Sequence, residues 1–295
     1  MRAGSWARRW PPRWATEPAA PPTGGPTIGA VNGELAHALR LALHGSAWLA
    51  DPSGPPPTLD DGPTARYLQP VGFTLEGGPV ADGPAPWLGW LHDRGVRRIG
   101  LVAPTSEPRQ VGGQPVEDHL LVAFAGAGRW ALTTVDAGGG GTLAWPARWT
   151  VGDREAADQR IWDVTYEGRS VGAVRPLDRP LLAAAADLRT ALEEIEAFAR
   201  GRDDAWWGDA FAEARARFTE AEPAFPYYPD VIPDGLGLPR RRLAAVAAGS
   251  WVFGGMGSWN DQGFPDPEVR AEFDRVTGRL YRAVLDAFVA VVEAG

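Results

Sequence analysis

The chain has 295 residues, 44% of them apolar, and a formal net charge of −8, enough length for a sizeable core in one large domain or two lobes. Cysteine is absent and every basic residue is arginine, which excludes thiolate nucleophiles, cysteine-held zinc or iron–sulfur sites, lysine Schiff bases and a Walker-A lysine. The acidic balance argues against a nucleic-acid groove, and no apolar run approaches the roughly 20 residues of a membrane span, so a soluble, cytoplasmic protein is expected.

Residues 1–30 read as a disordered tail rich in Pro, Arg and Trp, with no apolar periodicity. Its start is basic but lacks the apolar stretch of a secretory signal. Trp6, Trp10 and Trp14 beside arginines suit an acidic partner or a membrane surface. The body begins at Asn32, a helix N-cap residue. Leu35, Leu39 and Leu43 then recur at helical spacing to about Trp48. A Pro/Gly-rich connection covers 51–62, a short strand 72–76, and a short helix 86–91 closed by Gly95. A strand follows at 96–102.

The middle predicts further strands at 119–125, 129–135, 143–151 and 160–166. Gly126-Ala127-Gly128 marks a hairpin between the first two. Glu167-Gly168-Arg169 reads as a turn into a last strand at 170–174. Strands in this order predict an antiparallel meander.

The last third is helical. Asp178 and Pro180 open a helix with the stripe Leu181, Ala185, Leu188, Leu192, Ile195 and Phe198, stopped by Gly201. Asp204 caps a second, to about Thr219. After a Pro/Tyr-rich connection at 223–239, a third helix spans 240–252. The fourth starts at Asp266-Pro267-Glu268. The fold class is therefore α+β: an antiparallel meander in the middle of the chain, with about four C-terminal helices packed against it. Residues 31–176 form a mixed lobe and 177–295 a helical lobe, either separate or joined in one domain.

The candidate functional loop is 254–261. Asn occurs only at 32 and 260, and Met only at 1 and 256, so two residues that this chain avoids meet in the loop. Gly254, Gly255 and Gly257 permit close backbone approach. Ser258 and Asn260 supply orienting donors, Trp259 a stacking wall, and Asp261 a candidate acid/base. Tyr227 and Tyr228, in the Pro/Tyr-rich strap, are candidates to line the same pocket. The plain alternative is a tight interhelical turn with Trp259 in the core. The glycines match no phosphate-loop pattern.

Other candidates are thinner. Asp203-Asp204-Ala205-Trp206-Trp207-Gly208-Asp209 sets acids beside tryptophans, as sugar-cleaving sites do, but fits a capped helix start equally. His37 and His44 share a helix face about 10 Å apart, too far for ordinary joint ligation. His92-Asp93 matches two residues of a metal-dependent phosphohydrolase pattern whose other elements are missing. No G-x-S-x-G elbow is present. No metal site or cofactor is expected. Fourteen tryptophans are many for this length; most should be core, whereas an exposed sheet face of them would be a ligand or partner surface.

Two functional readings follow. The first is a non-enzymatic protein-binding protein, of adaptor or immunity type, whose acidic body suits a basic partner. The alternative is a protein that binds a small polar ligand, or a hydrolase-like enzyme, with its site at the 254–261 loop and the strap.

Overall fold

The computed structural model describes residues 31–103, 109–111, 113–122, 130–137, 141–172, 179–254 and 258–294. The expected tail, the Gly126-Ala127-Gly128 turn, Asp178, Gly255, Met256 and Gly257 lie outside them.

The first helix, α1 (Gly33–Ala50), starts where the sequence marks it. The Asn32 side chain accepts a 2.7 Å hydrogen bond from the Glu34 amide and so satisfies one of the donors left over at a helix start. Most of α1 is buried on every side, including His37 and Arg40. A helix buried all round must lie inside the fold rather than on it, and α1 meets the sheet, α3 (Pro84–Asp93) and the long C-terminal helix α8 (Pro267–Glu293).

The main sheet has six strands: β1 (Gly72–Leu75), β2 (Gly78–Asp82), β3 (Ile99–Val102), β6 (Ala131–Asp136), β7 (Gly141–Val151) and β8 (Trp162–Val171). They lie in the order β2-β1-β8-β7-β6-β3. β6, β7 and β8 form the expected antiparallel meander, with β3 antiparallel to β6 at one edge. The sheet is nevertheless mixed, because β1 pairs parallel to β8 and brings β2 with it. β4 (Arg109–Val111) and β5 (Gln114–Val116) form a separate hairpin.

Two local expectations fail for physical reasons. Gly168 is not a turn residue. A Cβ there would lie 2.6 Å from the Trp145 ring and 2.9 Å from the Thr74 carbonyl oxygen, so its glycine lets β1 and an indole approach β8 closely. The strand expected from residue 119 is instead the short helix α4 (Asp118–Leu121).

One sheet face carries Phe73, Trp145 and Tyr166, all buried. Trp87 of α3 stacks on Phe73 at 4.4 Å, and Phe73 stacks on Tyr166 at 5.3 Å. The helices α5 (Leu181–Arg200), α6 (Ala205–Ala216) and α7 (Leu238–Gly249) follow. α5 and α7 pack on α8, and α6 packs on α5. Two more caps read from the sequence are present: Asp204 accepts from the Trp207 amide, and Asp266 from the amides of Glu268 and Val269; α5 instead starts after Pro180, which is its N-cap and gives no side-chain bond. The fold is thus α+β. Among the described residues no helix is long and apolar enough to cross a membrane.

Candidate functional site

A cleft of about 410 Å³ opens where several stretches far apart in the chain meet. Asn32 and Glu34 bring the first turn of α1. Trp149 and Trp162 come from the adjoining ends of β7 and β8, with rings 6.2 Å apart. Tyr67 follows the short helix α2 (Gly62–Ala65), and its carbonyl accepts the Trp162 amide at 3.0 Å. Tyr228 comes from the strap. Trp251 and Phe253 come from the residues after α7, where Gly254 also lines the cleft.

The α1 turn and the strap are each anchored by polar contacts. Asn32 holds the α1 turn to the Val122 carbonyl through its Nδ2, at 2.9 Å, as well as capping it. The strap is held by Asp230, in a 3-10 turn spanning Pro229–Val231. The Asp230 carboxylate accepts from the Thr64 amide at 3.1 Å and from the Thr64 hydroxyl at 2.6 Å, and pairs with Arg40 at 3.3 Å. Its carbonyl lies 3.0 Å from His44 Nε2. Gly62, at φ +82°, is required here, because a Cβ would lie 2.7 Å from the Asp230 carboxylate. Tyr227 has φ +64°, a left-handed conformation that is uncommon outside glycine. Its side chain is exposed, while Tyr228 lines the cleft.

Behind the cleft, His37 Nδ1 and the Tyr166 hydroxyl are hydrogen-bonded at 2.9 Å. The His37 ring stands edge-on to Trp149 at 6.1 Å. Burial first, then the Arg40 charge, pulls the His37 pKa down to about 3, so this imidazole is neutral at pH 7. Burial, and then the Glu34 charge, raises that of Tyr166. Burial followed by the charge of Asp230 raises that of Tyr228. Burial also holds His119 down at about 4.

The loop residues fall elsewhere. Ser258 Oγ donates to the Gly254 carbonyl at 3.0 Å and closes the loop on itself. Trp259 is 1% exposed. Its ring lies 5.1 Å from Phe211 and 5.2 Å from Phe273, and its Nε1 donates to Thr277 Oγ1 at 2.8 Å. It is a core anchor and presents no free face for stacking. Asn260 Nδ2 donates to the His119 carbonyl at 2.8 Å. Ser258, Asn260 and Asp261 do not line the cleft; Gly254 and Tyr228 do. Of the loop and the strap, Gly254 and Tyr228 are thus the residues that line the cleft.

Glu34, Tyr67 and Trp251 were not singled out from the sequence. Glu34 reads there as an ordinary acidic first-turn residue, and the three belong to segments far apart in the chain. Among the described residues no cluster of three or more His, Asp or Glu side chains converges as metal ligands. Comparison with known protein families, with curated proteins and with solved structures finds no match.

Proposed function

We propose that this protein binds a small organic molecule in the cleft between α1, α2, the β7–β8 end of the sheet and the strap. The observation that carries the reading is a concave space of about 410 Å³ lined largely by aromatic residues, with Glu34 among them. Small-molecule sites are typically clefts of this size, mostly apolar, with a few placed polar groups. The cleft takes in Gly254 of the loop singled out in the sequence, while Ser258, Asn260 and Asp261 are not among its lining residues.

Binding is favoured over catalysis. Asp261 is not on the cleft wall, and His37 is not among the cleft's lining residues. A protein-binding role, of adaptor or immunity type, has less support. The large apolar side chains exposed to solvent, such as Val135, Leu182 and Trp206, come from separate elements.

A thermal-denaturation screen against a small-molecule library tests the proposal. A ligand at 100 times its Kd stabilises the fold by about 2.7 kcal/mol, equivalent to a Tm rise of roughly 5–10 °C for a protein of this size. A genuine hit loses much of that rise in Tyr67→Ala, whose side chain is 44% exposed and carries little of the core. A hit that shifts both proteins equally binds elsewhere. A broad library without any hit removes the proposal.

A further inference from the structure

We infer that the cleft has an occupant in cis: the chain's own proline-rich segment, residues 18–22, which an external ligand must displace. The inference goes beyond the small-molecule reading, because it assigns the same space a regulatory partner within the chain. Three observations point the same way.

The first is where the chain enters the fold. Val31, the first described residue, is buried, and the next three, Asn32, Gly33 and Glu34, line the cleft. Asn32 is fastened there by its bonds to the Glu34 amide and the Val122 carbonyl. Residues 1–30 are therefore joined to the fold at the cleft wall itself. Pro22 precedes Val31 by nine positions, a reach of up to about 30 Å, and Gly24 and Gly25 between them permit the chain to turn back.

The second is composition. Residues 18–22 read Pro-Ala-Ala-Pro-Pro and carry no charge. Segments with P-x-x-P spacing dock in aromatic-lined grooves, because their left-handed extended helix is preformed and little conformational entropy is lost on binding. Trp149, Trp162, Tyr228, Trp251 and Phe253 supply such a lining. Tyr67 adds less, since the Arg66 guanidinium already stands over its ring at 5.2 Å. Beside the cleft, Val151, the register partner of Trp162, and Tyr227, the neighbour of Tyr228, leave further apolar surface exposed.

The third is charge. Arg2, Arg8, Arg9 and Arg13 precede the segment against one acid, Glu17, in a chain whose net charge is −8. The rest of the protein is therefore more acidic than the whole, which favours keeping the basic stretch against it. None of the residues lining the cleft is arginine. A short tether gives an effective concentration of about 1 mM, so a segment with an intrinsic Kd of about 0.1 mM fills the cleft about nine-tenths of the time. External ligands are then weakened about tenfold.

The chain contains no cysteine, so a pair introduced into the full-length protein forms one intramolecular disulfide only. Thr16→Cys, just ahead of the segment, is combined either with Val151→Cys or with Leu182→Cys, an exposed residue of α5 that does not line the cleft. Disulfide formation in a glutathione buffer is followed on non-reducing gels. The 16–151 bond is expected to form at least about tenfold faster than the 16–182 bond. Adding Pro18→Ala, Pro21→Ala and Pro22→Ala keeps the tether and should slow the 16–151 bond at least about threefold. Equal rates for the two pairs, or a 16–151 rate indifferent to the proline substitutions, would overturn the inference. So would disulfide-linked dimers in place of the intramolecular bond, which put the segment on a second copy of the chain. A second arm separates this inference from the small-molecule reading. A ligand found by the thermal screen should bind the triple Pro→Ala variant, without added cysteines, about tenfold more tightly than the wild type. A ligand that binds both equally removes the internal occupant and leaves the small-molecule site standing. If no ligand is found for either protein, the small-molecule reading falls, and the disulfide rates alone decide whether the segment occupies the cleft.

Discussion

Acid should destabilise this protein well before its carboxylates titrate, and His37 gives the size of the effect. The ring is wholly buried against Tyr166, with its pKa lowered to about 3 from an ordinary 6.5. An unfolded chain takes up the proton near pH 6.5, whereas the folded chain refuses it until about pH 3. Between those values the unfolded state holds more protons, so stability falls as pH falls. The contribution is fully present above pH 6.5 and declines toward pH 3. Each pH unit inside that window costs about 1.4 kcal/mol for a group this shifted, which makes about 2 kcal/mol lost between pH 7 and pH 5. The variant His37→Gln keeps a hydrogen-bonding group facing Tyr166 but cannot titrate. Urea denaturation of the two proteins at pH 7, 6 and 5, followed by tryptophan fluorescence, isolates the effect, because all other titrations are shared. Glutamine should be the less stable at pH 7, and the gap should shrink by about 2 kcal/mol at pH 5. Parallel pH profiles would show that His37 is not held neutral by burial.

Three further outcomes follow from the packing. Gly168→Ala places a methyl 2.6 Å from the Trp145 ring and 2.9 Å from the Thr74 carbonyl oxygen, and should cost about 1–3 kcal/mol in urea denaturation. Asp230→Ala leaves Arg40 without its closest carboxylate and frees the strap; breaking a buried pair costs about 3–5 kcal/mol, and ligand affinity should fall with it as Tyr228 loses its anchor. Asn260→Ala removes the bond to the His119 carbonyl and should cost about 1–2 kcal/mol, with ligand affinity unchanged, since its side chain is used inside the fold.

Much of the fold is legible in the sequence because its signals are local. Asn32, Asp204 and Asp266 each announce a helix, and each accepts an amide from its first turn. The β6–β7–β8 meander follows from three strands that are consecutive in the chain with no helix between them. The parallel β1–β8 pairing is not legible in that way, because it joins residues about ninety apart in the chain, and the alternation within a strand does not say which remote strand it pairs with. Gly168 misleads because a glycine that permits a turn and one that permits a close approach look alike in sequence.

The site was half legible for a related reason. The 254–261 loop draws the eye through its glycines and rare residues, and its first residue does reach the cleft. Its polar side chains, however, serve the fold, as the Trp259 bond to Thr277 and the Asn260 bond to the His119 carbonyl show. The charged wall residue, Glu34, hides in a helix start, where an acid is ordinary. Trp149 and Trp162 become neighbours only through strand register: Trp149 pairs with Val164, and Val151 with Trp162.

The most direct test of the cleft as a binding site is calorimetric titration of a screened ligand into the wild-type protein and Tyr67→Ala under identical conditions. One ligand per chain is predicted for the wild type, with affinity lowered about threefold to tenfold in the variant and melting temperatures of the unliganded proteins nearly equal. Equal affinity in the two proteins would contradict the account.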